Sequence, residues 1–579
     1  MTAGESATSF SSVDWMVVAG VLFLITVLGK TLAGRQSSMR DFFLGGRKLP
    51  WLAVSASIIA TEISAVTYIS LPSVVFREGG DITYLQLGLI GSFLARAVVA
   101  YILVPAYFEE EIYSPYDYMG ARLGEGVRCM TTVLFSLGGV LGQSARVYLT
   151  AVVLQVLLAP ELEWFSAHVG WDPLVTSVLV IGVVAVVWTW MGGIAAVVWT
   201  DVFLFMLFIV GIGVSLWVVH DRVSGGLGAA LSDGLAAGKF RFFDTRWDPT
   251  RAYTIWVACI AAPWGNIGPY GTDQLITQRL LCCKNAIDAR RAMLWSTLSI
   301  VITFAVAIVG VGLWAFYREH PLTGDLAASV ASQPDRVFPV FISTSIPTGL
   351  RGLVIAGAFA AAISSLDSIL AALSQTSMST FVLPLRRRLG RAAEREPGVR
   401  ETLFLSRTCV LIWGVLLCAA AIGMSWIADR YDSLLDLALA MMGYTGGALL
   451  AAFFLAYLGP RRGASGFVWS APLSILVVFA LVWHAPWALW VCWAGLACLA
   501  LAWILLRLRP LWVQPALRLA LVLQSLALLV GFGVVIGLWR YATFDGDRVI
   551  AFPWYIPCGS LVAFLFALVL DRRSFLADE

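Results

Sequence analysis

Residues 263–271, PWGNIGPYG, put two prolines and three glycines into the middle of the apolar run 252–272. Proline removes a backbone donor and glycine loosens a helix, so a membrane helix carrying both is expected to unwind midway. Far upstream, residues 61–67, TEISAVT, set a polar patch inside the apolar run 51–73, with Pro72 behind it. The second run lies five spans after the first, an odd displacement, so the two cross the membrane in opposite directions. A simple kink accounts for either break alone. Polar residues at both, in matching places of two inverted halves, point to the solute and ion site of a transporter.

The rest of the chain fits that reading. Of its 579 residues, 59% are hydrophobic and 13% charged. Continuous apolar runs of about 18 residues or more follow one another along nearly the whole length, which indicates helical spans and excludes a β-barrel of alternating strands. Expected spans are 14–34, 51–73, 83–106, 130–158, 173–191, 197–219, 252–272, 292–316, 338–383, 403–427, 434–458, 465–484, 487–506, 516–539 and 551–570. The segment 338–383 exceeds one crossing and is expected to include a surface helix or loop. Residues 1–579 thus read as one all-α polytopic membrane domain of about 15 spans. It divides into a leading span (14–34), a first inverted repeat (51–219), a second (252–458) and peripheral C-terminal spans (465–570).

Charge sets the expected orientation. Arg386, Arg387, Arg388, Arg391, Arg395, Arg400 and Arg407 crowd one loop. The positive-inside rule places that loop and the C-terminus, with Arg572 and Arg573, in the cytoplasm and the N-terminus outside. The opening MTAGESATSFSSVD lacks a basic region, so the first apolar run is expected to be a retained span rather than a cleaved signal. The expected location is the cell membrane, the inner membrane in a bacterium, with lipid as a partner. The net charge of +3 reflects topology and does not point to nucleic acid. The cysteines form no C-x-x-C, and His168, His220, His320 and His484 fall at expected outer helix ends. No Walker motif, nucleophile elbow or clustered His, Glu or Cys indicates an enzyme or an organic cofactor, and no protein partner is evident.

Residues 352–378, GLVIAGAFAAAISSLDSILAALSQTSM, add a candidate ion site. Ala361, Ser364, Ser365 and Ser368 stack on one helical face, with Asp367 among them. Serines in membrane helices often bond back to carbonyls one turn earlier. A carboxylate beside stacked hydroxyls instead suits a hard cation such as Na+.

Several motifs together resemble the sodium/solute symporter family. They are FFLGGRKLPW (42–51), IATEISA (59–65), YDYMGARLG (116–124), GGIAAVVWTDV (192–202), DQLITQR (273–279), AAISSLDS (361–368) and YTGG (444–447). The resemblance covers about residues 14–460 and implies a five-plus-five inverted repeat with the first span ahead of it. It implies a sodium-coupled symporter moving a small solute by alternating access. The first sodium position falls on backbone oxygens of Ala60, Ile63 and Ala361 and hydroxyls of Ser364 and Ser365. A second sodium, held in some relatives, maps to Asp201, Ser365, Asp367 and Ser368, with Asp367 standing where a relative carries serine.

Arg146 lies inside the span 130–158, and its planar fork suits a carboxylate. Relatives that carry sialic acid use an arginine on this helix, with positions matching Gln86, Ser64 and Thr67. An organic acid or acidic sugar such as sialic acid is therefore the expected solute. Glu62, in the first break, is the alternative partner of Arg146, and such a pair leaves a zwitterionic amino acid open. A neutral sugar is disfavoured because Met442 and Gly443 stand where sugar carriers have an amide. Asn266 is expected as a solute or gating contact, and Asp273 and Gln274 as gate supports. Arg96 is expected to snorkel towards headgroups or Glu109, Glu110 and Glu111. A solute-sensing receptor on the same fold is the other reading, disfavoured because no output domain follows the last span.

Overall fold

The computed structural model describes residues 11–32, 44–63, 65–109, 112, 114–191, 194–389, 399–431, 433–458, 464–483, 485–508, 512, 518–544 and 550–571. Among these residues regular structure is helical, apart from a single bridge between Leu49 and Cys283. The membrane helices are α1 (Ser12–Leu32), α2 (Trp51–Glu62), α3 (Ala65–Phe76), α4 (Leu87–Glu109), α5 (Glu125–Leu157), α6 (Pro173–Met191) and α7 (Ile194–Arg222). Then come α8 (257–272), α9 (Gln274–Leu281), α10 (Ala286–Glu319), α11 (Leu350–Ser377), α12 (Val399–Met424) and α13 (Leu434–Leu458). The chain closes with α14 (Ala464–Val482), α15 (Pro486–Trp503), α16 (Arg518–Phe544) and α17 (Tyr555–Val569). Among the described residues, thirteen helices are long and apolar enough to cross a bilayer, or 14 when α2 and α3 count as one bent span. The further expected crossing, 252–272, contains α8, which is too short to meet that measure.

Both interruptions exist, and the second lies later than the prolines suggest. Ile63 leaves the helical region at φ −80°, ψ 70°, and the two halves of the first broken span meet at 51°. In the second, the chain stays helical past Pro263 and Pro269 and becomes extended only at Asp273 (φ −83°, ψ 132°). Wide π-type turns at Val257–Ala261 and Gly268–Thr272 flank the intervening α-helical turn. A wider turn pairs donors with carbonyls one residue further back, so it absorbs the donor that proline lacks.

Polar clips tie the spans together. Asp14, at the head of α1, accepts from Gly349 N (2.8 Å) and Gly352 N (3.1 Å) and pairs with Arg351 (2.5 Å). It therefore caps the exposed amides at the start of α11. Lys239, on the connection between α7 and α8, donates to the carbonyls of Val75 (2.8 Å) and Arg77 (2.5 Å) at the end of α3. A cation there complements the helix dipole, while burial pushes the Lys239 amine below its usual value.

The sequence places residues 465–570 at the periphery. The last of these helices instead packs along α13 and α14. Small residues permit the approach: a Cβ on Gly447 would stand 2.8 Å from the Ile556 carbonyl, and one on Gly466 would stand 2.0 Å from that of Ala567. Trp264 of α8 donates its indole N–H to Ser560 (2.9 Å), and Ser474 of α14 donates to the Gly559 carbonyl (2.8 Å). Backbone contact of this kind leaves no soft side chain to give way. Gly466→Ala is expected to cost about 1–3 kcal/mol through overpacking, read as a clear fall in the melting temperature of purified protein. An unchanged melting temperature would show that α17 is free to shift.

Candidate transport site

A cavity of about 240 Å³ lies between the two broken spans. Thr61, Glu62 and Thr67 enter it from the first break, Asn266, Tyr270 and Asp273 from the second, and Arg96 and Arg146 from α4 and α5. Above it, a wider vestibule of about 850 Å³ is lined by charged loop residues, with Tyr253 and Phe552 towards its floor. Most of that charge is internally matched: Arg241 pairs with Asp81 (2.5 Å) and Arg246 with Asp244 (2.5 Å). Arg246, bonding to Asp244, holds that carboxyl down at about 2.

Glu62 does not meet Arg146. It forms an ion pair with Arg96, and its other oxygen accepts from the Tyr270 hydroxyl (2.8 Å). Arg96 is almost wholly buried, so the expected snorkelling towards headgroups does not occur. Its guanidinium also donates to Ser296 (3.0 Å) and Ser299 (3.2 Å) and lies 4.3 Å from the Tyr270 ring centroid. Ser92 joins the cluster through Tyr270 (3.2 Å) and the Asn266 amide (3.1 Å). This network locks the first broken span to the second across α4.

Arg146 is different. It lines the cavity, yet its guanidinium makes no ion pair or hydrogen bond among the described residues. Asp273 lines the same cavity, but its carboxylate caps α9 by accepting from Leu275 N (2.8 Å). Asp273 is near enough to attract it but does not pair with it, so the fork of the guanidinium remains available to a carboxylate.

The expected sodium positions stand where α2, α7 and α11 pack on one another. Ile63 ends α2, which turns its carbonyl out of the helical ladder. Ser365 is buried, and its hydroxyl has no hydrogen-bond partner among the described residues. Ala60 is buried beside the break. The backbone at Ala361 and Ser364 is helical, and their side chains lie outside the described residues. Carbonyls and hydroxyls of this kind suit Na+.

The second cluster contains a cation of its own. Arg279 of α9 pairs with Asp201 (3.0 Å), donates to Ser368 (2.9 Å) and Ser57 (2.8 Å), and reaches the Leu275 carbonyl (2.6 Å). Ser57 also donates to Asp201 (2.5 Å). Asp367 accepts from Ser368 at 3.3 Å and pairs with no cationic side chain among the described residues. Asp201, Asp367 and Ser368 do come together, but around a guanidinium.

Among the remaining expected solute contacts, Thr67 and Asn266 line the cavity, and Ser64 lies outside the described residues. Gln86 does not line it. The side chain is buried behind the wall and donates to the Tyr253 carbonyl (2.8 Å), supporting the vestibule floor. Gln274 is buried and donates to Gln375 (3.3 Å). Sequence reasoning did not assign Tyr270, Arg279 or Phe552 to the site. The signal for Arg279 was present, because a buried arginine in DQLITQR needs an acid and Asp201 was already singled out.

Residues 42–473 match the model of the sodium:solute symporter family. Sodium-coupled monocarboxylate transporter 1 of Xenopus laevis is 29% identical, over 82% of this chain and 71% of that protein. The sodium/sialic acid symporter of Proteus mirabilis is 28% identical, over 81% of this chain and 90% of that protein. A solved Na+-coupled sialic acid symporter, in a substrate-bound outward-open state, superposes with a TM-score of 0.71 at 23% identity, covering 97% of this chain and 98% of that one. The broken spans and the match over most of the chain lead to one conclusion: this protein belongs to the sodium:solute symporter family, as a multi-pass membrane carrier that couples a small solute to Na+.

Proposed function

We propose that the solute is a small organic acid or acidic sugar, imported with Na+ and held through its carboxylate by Arg146. The observation that carries this reading is the unmatched guanidinium of Arg146 in a cavity where Glu62 is already committed to Arg96 and Tyr270. The relatives that carry monocarboxylates and sialic acid are in keeping with it. The arginine-crowded end faces the cytoplasm by the positive-inside rule, so the vestibule faces outward. A zwitterionic solute is the second reading, because the Glu62 side chain is 28% exposed. Arg96 cancels most of the attraction that Glu62 would offer an ammonium.

The first Na+ belongs to Ala60, Ile63, Ala361, Ser364 and Ser365. A second cation belongs beside Asp367, with Ser365 and Ser368. Two carboxylates, Asp201 and Asp367, face one guanidinium, which leaves a single negative charge to be matched. Energetics favours a second ion for an anionic solute. One charge crossing 100 mV yields about 2.3 kcal/mol, and a tenfold gradient yields about 1.4. A monoanion moving with one Na+ cancels the voltage contribution and is concentrated only about tenfold. A second Na+ restores it.

Calorimetry in Na+ should show that propionate, pyruvate or sialic acid binds, and that the corresponding amide binds at least tenfold more weakly. Arg146→Lys should lose most of that preference, since lysine lacks the fork. Glu62→Gln should partly restore the stability of Arg96→Gln but not the binding lost in Arg146→Gln. Equal affinity for acid and amide would sink the organic-acid reading.

Uptake into proteoliposomes should collapse when K+ or choline replaces Na+. Ser365→Ala should raise the Na+ concentration needed for half-maximal uptake by about tenfold, equivalent to about 1.4 kcal/mol. An unchanged requirement would remove Ser365 from the site.

Flux against Na+ concentration should be sigmoidal in the wild type and closer to hyperbolic in Asp367→Asn. This variant is cleaner than Asp201→Asn, which also breaks the pair with Arg279. A charge-to-solute ratio of one Na+ per cycle would defeat the second ion and spare the first.

A further inference from the structure

The family model ends at residue 473, and the last span begins some 80 residues later. Phe552 opens the short turn Phe552–Trp554 that leads into α17. It lines the vestibule and also the central cavity, and among the described residues no other does both. Its ring meets Tyr253 edge-on (centroids 6.4 Å apart), and Tyr253 meets Tyr84 in the same manner (5.4 Å). Tyr253 is fixed in turn, its hydroxyl donating to Asp436 and its carbonyl accepting from Gln86 (2.8 Å). One turn beyond Phe552, Ile556 lines the central cavity and the small recess behind it, beside Gly142, Met442 and Gly446.

We propose that the last span completes the solute site: Phe552 forms the roof between cavity and vestibule, and Ile556 forms the end wall that limits solute length. A side chain lining both spaces, on a support too tightly packed to swing freely, suits that role. Ala551 N donates to the Pro249 carbonyl (2.9 Å), and Ser560 accepts from Trp264 of the second broken span (2.9 Å), so the roof is tied at both ends. Ile556 packs against Gly446 of α13, where its branched side chain fills the space a larger residue would otherwise take. The chemical class of the solute rests on the organic-acid reading. The role of the span does not.

Two measurements test this separately. Ala438 lines the cavity beneath the roof, and none of the residues lining that cavity is a cysteine. In Ala438→Cys protein reconstituted in vesicles, an impermeant thiol reagent added outside should react at least fivefold faster once Phe552→Ala is introduced. Phe552→Leu, which keeps apolar bulk, should give an intermediate rate with an unchanged melting temperature. Equal rates in all three would overturn the roof. The second measurement ranks straight-chain monocarboxylates from acetate to hexanoate by binding in Na+. Ile556→Ala should move the preferred length at least one carbon longer, and an unchanged ranking would overturn the end wall. If no acid binds even the wild type, the organic-acid reading fails, and the labelling rates still decide whether the last span roofs the cavity.

Discussion

A charge inside this protein has lipid on one side and packed apolar helices on the other, so it must find a counter-charge within reach or remain costly. The arrangement of the bundle follows from how its buried arginines meet that demand. Arg351 takes Asp14, Arg279 takes Asp201, and Arg96 takes Glu62, in each case on a different helix. Each pair joins elements that sequence distance would separate: the leading span to α11, the second broken span to α7, and the first broken span to α4. Buried pairs of this sort add little net stability over apolar packing, but losing one partner costs about 3–5 kcal/mol. They specify which helix lies against which. Arg146 makes no ion pair among the described residues, and it lies where the bundle opens a cavity.

The breaks in the two spans use different devices for one end. In the first, the backbone departs from helical geometry at Ile63 and the direction changes sharply. In the second, wide turns carry the chain past its prolines until Asp273 ends the helix and caps the next one. Both leave carbonyls outside the regular ladder close to the cavity. The polar cluster of Glu62, Arg96, Tyr270, Ser92 and Asn266 then holds the two breaks in register.

Much of this was legible in the sequence. Continuous apolar runs defined the spans, and the TEISAVT and PWGNIGPYG segments marked both breaks, because proline, glycine and buried polar residues have few other uses at mid-membrane. The stripe around Ser365 and Asp367 and the isolated Arg146 were equally visible. Partner choice was not. Arg96 and Arg146 both sit on apolar helices, and nothing local says which of them Glu62 meets; helix rotation and the reach of α4 decide it. The second-sodium positions were read without Arg279, because its distance from Asp201 in sequence (78 residues) hides their contact. The last span carries no motif, so its place beside α13 depends on glycines whose approach only tertiary packing reveals.

The leading helix exposes large apolar residues such as Met16, Phe23 and Leu24. Through Asp14 it is nevertheless clamped to the first turn of α11, the helix that bears Ser365 and Asp367. Any displacement of α11 during the cycle must drag this fatty fin through the surrounding bilayer. Viscosity, thickness and lateral pressure of the membrane would then act as a mechanical load on the helix that carries Ser365 and Asp367, and turnover would depend on lipid composition in a way that no ligand contact explains.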